Sequence, residues 1–460
     1  MLKNDLTDTI TAISTPVGEG GIGIVRVSGK EALRIADRIF ISPAAKKPST
    51  LKTYTTHYGT IADKGKIIDE VILTVMRRPR SYTREDIVEI NCHGGIVALR
   101  DVLNLVLENG ARLAEPGEFT RRAFLNGRID LTQAEAVIDI IRAKTDLALK
   151  IGVEQLKGAL SKQLNKDRGF LLDALSVLEA GIDFPEEEGT GADLKAVAGK
   201  IEAAGRDLEE LLANSRLARV LREGVHAVIC GKPNVGKSSL LNALLQEERS
   251  IVTPVPGTTR DTIEEIIDIQ GIPVRIVDTA GILEPRDLVE KKAVQRSKKH
   301  IAAADLVIIL FDGSKKLSRE DRFLAGKLKN KKVIAVINKL DLKQRLERPQ
   351  VLKMFKRVID ISAKRSKNID LLEQAIADLV HSGHIAAAEP LLVANLRYIK
   401  ILQKAKIVIA EALKSLDNSL PSEFIAQDIK EALGYLDEIS GKKFSEDLLD
   451  KIFAEFCIGK

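Results

Sequence analysis

The segment Gly231-Lys-Pro-Asn-Val-Gly-Lys-Ser-Ser239 constrains this chain more than any other. It matches G-x-x-x-x-G-K-[ST], with the apolar run Val225–Cys230 before it and Leu240–Leu245 after it. Strand, glycine-bearing turn and helix in that order make a phosphate cradle. The turn curls so that successive N–H groups converge on anionic oxygens, and the helix N-terminus adds its dipole. Lys237 supplies a point charge to the β/γ-phosphates, and the Ser238 hydroxyl is placed for Mg²⁺. A chance match in a turn is the competing reading, and the flanking pattern disfavours it.

Three further segments narrow the ligand. Asp278-Thr-Ala-Gly281 ends a strand-like run, where Asp278 can reach Mg²⁺ through its water shell and the Gly281 N–H can meet a γ-phosphate. Asn338-Lys-Leu-Asp341 ends another. A carboxylate there accepts from N1–H and the exocyclic amine of guanine, a donor pair that adenine lacks, so Asp341 selects GTP. Ser362-Ala-Lys364 follows one strand later, with the Ala363 N–H within reach of guanine O6. Each segment alone is weak; four in fixed order on alternating strand ends are strong. The glutamine that Ras-like enzymes place after the DTAG-type glycine is Ile282 here, so the attacking water is positioned by something else. Glu284, Asp287 and Glu290 are the acidic candidates. Asp287-Leu-Val-Glu290 also fits a helix capping box, and the residues alone leave Glu290 between cap and catalysis. Between these segments, Thr259 is the natural second hydroxyl for Mg²⁺, and Arg260 beside Asp261 reads equally as a finger or a local ion pair.

The chain of 460 residues allows about three domains. A net charge of +6 without a block of like charges permits a nucleic-acid partner without demanding one. Aromatic residues are only 4% and Trp is absent, which argues against a base-stacking platform. Cys92, Cys230 and Cys457 have no paired or metal-ligand spacing, as expected of a reducing cytoplasm. No apolar run approaches a membrane span, and a cytoplasmic protein without membrane contact is expected.

The expected architecture is multidomain, α/β plus all-α. Residues 1–120 read as an α/β domain. Here Gly18-Glu-Gly20-Gly-Ile-Gly23 fits the dinucleotide fingerprint but runs into β-like Ile24-Val-Arg-Val-Ser, so a Rossmann site is rejected. Residues 121–220 read as long helices, with Thr132-Gln-Ala-Glu135 as a capping-box-like start. Residues 221–382 alternate strand and helix around the phosphate loop, the pattern of a mostly parallel sheet. Residues 383–460 are helical again. Helices of similar character on both sides suggest one helical domain into which the phosphate-loop domain is inserted.

Together, GKPNVGKSS, PGTTRD, DTAG, NKLD and the terminal Phe456-Cys-Ile-Gly-Lys460 resemble the MnmE (TrmE) family of tRNA-modification GTPases. Gly20-Gly-Ile-Gly-Ile-Val-Arg26, Tyr82-Thr-Arg-Glu-Asp-Ile-Val-Glu89, His93-Gly-Gly95, Pro116-Gly-Glu-Phe119 and Arg122-Ala-Phe-Leu-Asn126 carry the likeness through the N-terminal part. The resemblance implies an N-terminal folate-binding and dimerisation domain, a central helical domain and an inserted Ras-like GTPase domain. It implies a homodimer that works as a heterotetramer with the flavoprotein MnmG (GidA). Together they install an aminomethyl-type group on the wobble uridine of certain tRNAs. The one-carbon unit comes from a tetrahydrofolate derivative, bound in its 5-formyl or methylene form. An Era-type ribosome-assembly GTPase is the alternative, disfavoured by this N-terminal domain and tail.

The resemblance also implies site residues. GTP is held by Asn234, Val235, Gly236, Lys237, Ser238 and Ser239; by Thr253, Pro254, Val255, Pro256, Gly257, Thr258 and Thr259; by Asp278, Thr279, Ala280 and Gly281; and by Asn338, Lys339, Asp341, Ser362, Ala363 and Lys364. Mg²⁺ falls to Ser238 and Thr259, and K⁺ to Asn234, Thr253, Val255 and Thr258. Lys237 and Glu290 are the catalytic pair, the family's catalytic acid matching Glu290. Arg26, Glu89, Arg128 and Lys460 are expected at the folate, and Cys457 is a candidate nucleophile in the modification. His93 is expected to be a structural loop residue.

Overall fold

The computed structural model describes residues 8–183, 193–246, 264–278, 300–328, 331–380 and 393–460. By their contacts these form two compact units. One comprises the stretch ending at Ile138, Gln155–Lys166 and Leu433–Lys460; the other comprises Asp139–Glu154 and Asp167–Ala432.

The first unit is built on seven strands: β1 (Ile10–Ile13), β2 (Gly23–Ser28), β3 (Phe40–Ile41), β4 (Thr55–Asp63), β5 (Lys66–Met76), β6 (Ile87–Cys92) and β7 (Arg112–Leu113). Their order is β3-β4-β5-β6-β2-β1-β7, antiparallel throughout except for the β1–β7 pair. Successive strand residues face opposite sides. Val25, Val27, Val88 and Ile90 therefore enter a core shared with Leu99, Val102 and Val106 of the helix Ile96–Glu108. Arg26 and Glu89, which are paired in register across β2 and β6, are left on the other face. Gly23 opens β2, as the rejection of a dinucleotide site required. A Cβ there would lie 2.5 Å from the Leu99 side chain, so this glycine serves helix-on-sheet packing.

The second unit holds six strands: β8 (Val225–Gly231), β9 (Glu264–Ile269), β10 (Ile272–Asp278), β11 (Leu306–Asp312), β12 (Val333–Asn338) and β13 (Val358–Asp360). The order is β13-β12-β11-β8-β10-β9, parallel except for the β9–β10 hairpin. Strands β8, β11 and β12 are almost wholly buried and read as continuous apolar runs, as a sheet covered on both faces must. Helical segments from both sides of this sheet in the sequence pack together. Lys406 of the helix Leu396–Asp417 bonds Glu209 of the helix Leu194–Ala213 at 2.8 Å, and Gly205 lies against Ile409.

One helix start is corrected. The helix Leu131–Arg142 is capped by Asp130, whose Oδ1 accepts from the Gln133 N–H at 3.0 Å while Gln133 Oε1 accepts from the Asp130 N–H at 3.0 Å. Thr132 and Glu135, expected to form the cap, are buried inside the first turns. Asp is as good an N-cap as Thr, and the reciprocal pair begins two residues earlier. The long helices expected from here on begin as three: Leu131–Arg142, Asp146–Leu156 and Ala159–Asp183.

Candidate functional site

Every described segment of the expected nucleotide site lies at the carboxyl end of a parallel strand, where open α/β sheets bind ligands. The phosphate loop follows β8, Asp278 closes β10 beside Ile229, Asn338 closes β12, and Ser362 comes just after β13. The loop hands over to the helix Lys237–Gln246, so its N–H groups sit at a helix N-terminus. Ser238 and Ser239 are exposed there. Gly236 has a φ of 100°, and a Cβ would stand 2.3 Å from Asn338 Nδ2, so no other residue fits without moving Asn338.

The loop carbonyls are held from behind. Lys237 Nζ donates to the Gly231 and Lys232 carbonyls, each at 3.1 Å. Lys339 Nζ donates to the Asn234 carbonyl at 2.9 Å and Asn338 Nδ2 to the Val235 carbonyl at 2.8 Å. With those oxygens tied to cations and amides, the peptide planes are fixed and their N–H sides are directed to the opposite side, the polarity an anion requires. Asn234 sits in the left-handed region at φ 62°, with its side chain exposed.

Asn338 is 2% exposed and works as a three-way joint. Besides the Val235 carbonyl it engages the Lys339 N–H at 2.7 Å and the Ala363 N–H at 3.0 Å through Oδ1. The Ala363 N–H, expected at guanine O6, is thus directed to Asn338, because a buried amide must find a partner. Asp341 Oδ1 accepts from the buried Ser362 hydroxyl at 2.6 Å, and this bond holds the Asp341 carboxyl below its ordinary value, so it stays an acceptor.

Asp312, at the end of β11, was not among the expected residues. It is buried, and its carboxylate accepts from Lys339 Nζ at 2.7 Å and Ser314 Oγ at 2.6 Å. Burial alone would raise this carboxyl, but the bonds from Lys339 and Ser314 outweigh it and hold it low. The signal in the sequence is slight: an Asp closing the apolar run Leu306–Phe311.

Thr253, Pro254, Val255, Pro256, Gly257, Thr258 and Thr259, then Thr279, Ala280, Gly281 and Glu290, lie outside the described residues, as do Arg260, Asp261, Ile282, Glu284 and Asp287. Of Asp278 the strand position is described and the side chain is not. Among the described residues no cluster of three His, Cys, Asp or Glu side chains could hold a metal. Among the described residues of the loop, the Ser238 hydroxyl and the Asn234 side-chain oxygen are hard neutral donors of the kind that suits Mg²⁺ or K⁺.

In the first unit the other expected residues come together. Arg26 Nε donates to Glu89 Oε1 at 2.8 Å, and its Nη1 donates to the Gly459 carbonyl at 3.1 Å, next to Lys460. Ser14 Oγ donates to the same carbonyl at 3.1 Å, and Gly117 N–H to the Cys457 carbonyl at 3.3 Å, so the terminal tail is docked on this sheet. Arg128 lies over the Tyr82 ring at 4.7 Å and donates to the Tyr82 carbonyl; Arg26 faces Tyr82 at 6.0 Å and Phe119 at 5.6 Å. Tyr82, absent from the expected residues, thus faces both guanidiniums, and Phe119, also absent from them, faces Arg26. The arrangement presents a cation pair, a carboxylate and two ring faces, a set matched to a flat heteroaromatic ligand with carboxylates. Cys457 is exposed, whereas Cys92 and Cys230 are buried, with both thiols pushed up to about 12 by burial. His93 Nδ1 pairs with Asp69 at 2.6 Å, and that bond raises the imidazole above its ordinary value.

Residues 131–457 match the model of the MnmE helical domain, and residues 9–128 match that of the GTP-binding protein TrmE N-terminus. The chain is similar to the tRNA modification GTPase MnmE of Geobacillus thermodenitrificans, 48% identical over 98% of this chain and 99% of that one. It is similar to that of Clostridioides difficile at 47% identity over 99% of this chain and 100% of that one. A solved structure of Aquifex aeolicus Era bound to GDP·AlF4⁻ is 29% identical over 40% of this chain and 66% of that one, with a TM-score of 0.29. Among the described residues no helix is long and apolar enough to cross a membrane.

Proposed function

The chain belongs to the MnmE (TrmE) family of tRNA-modification GTPases, and from that premise we propose a division of labour between its two compact units. The family is one of GTP hydrolases acting in tRNA modification, built from an N-terminal α/β domain, a helical domain and a Ras-like GTPase domain. In our reading GTP hydrolysis is stimulated by K⁺, and it times a modification carried out with a flavoprotein of the MnmG type. The product is an aminomethyl-type group on a tRNA wobble uridine, with its one-carbon unit from tetrahydrofolate.

The single observation that carries the folate half is the contact of Arg26 with both Glu89 and the Gly459 carbonyl of the terminal tail. That contact sets a guanidinium, a carboxylate and the residue next to Lys460 in one place. Glu89 accepts from pterin N–H groups, and Arg26, Arg128 and Lys460 engage carboxylates or the polar pterin edge. Cys457, exposed two residues before Gly459, is the thiol available to the modification. Tetrahydrofolate supplies an activated one-carbon unit when bound.

In the nucleotide half, Lys237 and the loop N–H groups neutralise the phosphates, Asp341 reads guanine, and Ser238 with Thr259 holds Mg²⁺, which compensates charge on the phosphate oxygens. Asn234 is the side-chain ligand for K⁺, completed by Thr253, Val255 and Thr258, and Glu290 positions the water. The organisation in this reading is 1–120, 121–220, 221–382 and 383–460, working as a homodimer in the cytoplasm.

Nucleoside analysis of tRNA from a strain lacking this chain tests the proposal. The wobble-uridine derivative should vanish, return with the wild-type chain, and fail to return with Arg26→Ala. Unaltered nucleosides in the deletion strain would overturn it.

A further inference from the structure

Lys232, the second residue of the phosphate loop, does not face the space in front of the loop. Its side chain, 17% exposed, carries the ammonium to the start of the helix Arg319–Lys327, where it bonds Ser318 Oγ at 2.8 Å and Asp321 Oδ2 at 2.8 Å. Those two side chains already form a closed capping box. Asp321 Oδ2 accepts from the Ser318 N–H and Oγ, each at 2.9 Å, and Ser318 Oγ accepts from the Asp321 N–H at 3.2 Å. A capping box needs no cation to satisfy its two amides, so the helix gains little that it lacks by capturing Lys232. The phosphate loop gains more. A charge-assisted bond to a carboxylate that is 6% exposed fixes the residue whose carbonyl anchors Lys237 Nζ at 3.1 Å.

The other supports of the loop, Asn338 on Val235 and Lys339 on Asn234, act on its second half. Beyond the β8–β11 pairing at Gly231, the first half is held by the Lys232 bridge and by the Lys237 ammonium, the group that must also meet the nucleotide. We propose that Lys232, clamped by Asp321 and Ser318, is a positioning residue that pre-organises the first half of the phosphate loop for GTP and GDP. The inference rests on nucleotide binding by this loop and adds to it a side chain and a helix outside the motif. Pre-organisation of this kind strengthens ground state and transition state alike, so it acts on affinity and KM and leaves kcat at saturation.

The test uses the full chain, with mant-GDP titration, GTP turnover and thermal melting. Lys232→Met and Asp321→Asn should each weaken mant-GDP binding by about tenfold or more. KM for GTP should rise in proportion, with kcat unchanged. Asp321→Asn keeps an oxygen for the Ser318 N–H, so its melting temperature should stay within about 4 °C of wild type. Lys232→Arg should restore affinity, and the double variant should be no weaker than the weaker single one. Wild-type affinity in either single variant would overturn the clamp. So would strictly additive losses, or a loss that follows a falling melting temperature and that Arg does not rescue. Failure of the wild-type chain to bind mant-GDP would instead remove the nucleotide reading on which the clamp rests.

Discussion

Asn338 Nδ2 and the Val235 carbonyl are joined across 103 residues of sequence by a buried 2.8 Å hydrogen bond. The same side chain accepts from Ala363 N–H, so one amide ties the phosphate loop to the loop that follows β13. Asn338→Ala should therefore damage two places at once. Each group left unpaired costs about 1–3 kcal/mol, and part of that loss should appear as nucleotide affinity. The expected result is a lower melting temperature together with at least tenfold weaker mant-GDP binding. A variant that melts earlier but binds normally would reduce Asn338 to a core residue.

Asp341 should decide which purine is accepted. Its carboxyl, kept ionised by the Ser362 bond, should accept from the two guanine donors. Asp341→Asn replaces one acceptor by an N–H donor that matches the 2-oxo group of xanthine. GTP affinity should fall on the order of a hundredfold or more, with xanthosine triphosphate becoming the better ligand. Competition between the two nucleotides against mant-GDP reads this directly, and unchanged preference for GTP would remove Asp341 from base recognition.

Much of the nucleotide site was legible because its chemistry is local. The phosphate loop, the strand runs before it and the segments at Asp278, Asn338 and Ser362 are short patterns with fixed roles, and β8, β11 and β12 follow their apolar runs almost to the residue. What escaped was non-local or weakly patterned. Strand β4 carries Thr, His and Gly where an apolar alternation would have marked it. Asp312 matters through Lys339, and Lys232 through Asp321; no spacing rule joins residues so far apart. Tyr82 and Phe119 were visible as members of motifs, yet only the folded sheet shows that Tyr82 faces Arg26 and Arg128 and that Phe119 faces Arg26.

Arg122 should set the acid stability of the first unit. It is 1% exposed and meets Glu118 Oε1 at 2.9 Å, Glu85 Oε1 at 3.1 Å and a carboxylate oxygen of Asp8. Burial alone would raise the Glu118 carboxyl, but Arg112, the Glu115 N–H and Arg122 together hold it low, and Asp8 is held low by Arg112 and Arg122 against the same effect. A carboxyl with a depressed value in the folded state stabilises the fold above its ordinary value and loses that contribution as pH falls through the folded one. Stability should thus be flat near neutrality and decline below about pH 4. Arg122→Met leaves Glu85 without its cation and Asp8 and Glu118 with Arg112 alone, and should cost on the order of 3 kcal/mol at pH 7. The difference from wild type should narrow in acid, where protonated carboxyls no longer need the guanidinium. Melting curves at pH 7, 5 and 3 test both signs.

Potassium should distinguish this phosphate loop from one served by an arginine finger. Asn234 adopts φ 62°, and its carbonyl is occupied by Lys339, so the side-chain oxygen is what it offers in front of the loop. A monovalent cation held there would neutralise charge that develops between the β- and γ-phosphates. Turnover in K⁺ should exceed that in Na⁺ by on the order of tenfold, corresponding to about 1.4 kcal/mol of transition-state stabilisation. Asn234→Ala should erase the preference while mant-GDP still binds, because Lys339 holds a backbone carbonyl that the substitution keeps. Glu290→Ala, by contrast, should bind GTP normally in either salt and fail to hydrolyse it. Equal rates in K⁺ and Na⁺ for the wild-type chain would return Asn234 to the role of a loop residue chosen for its tolerance of a left-handed backbone.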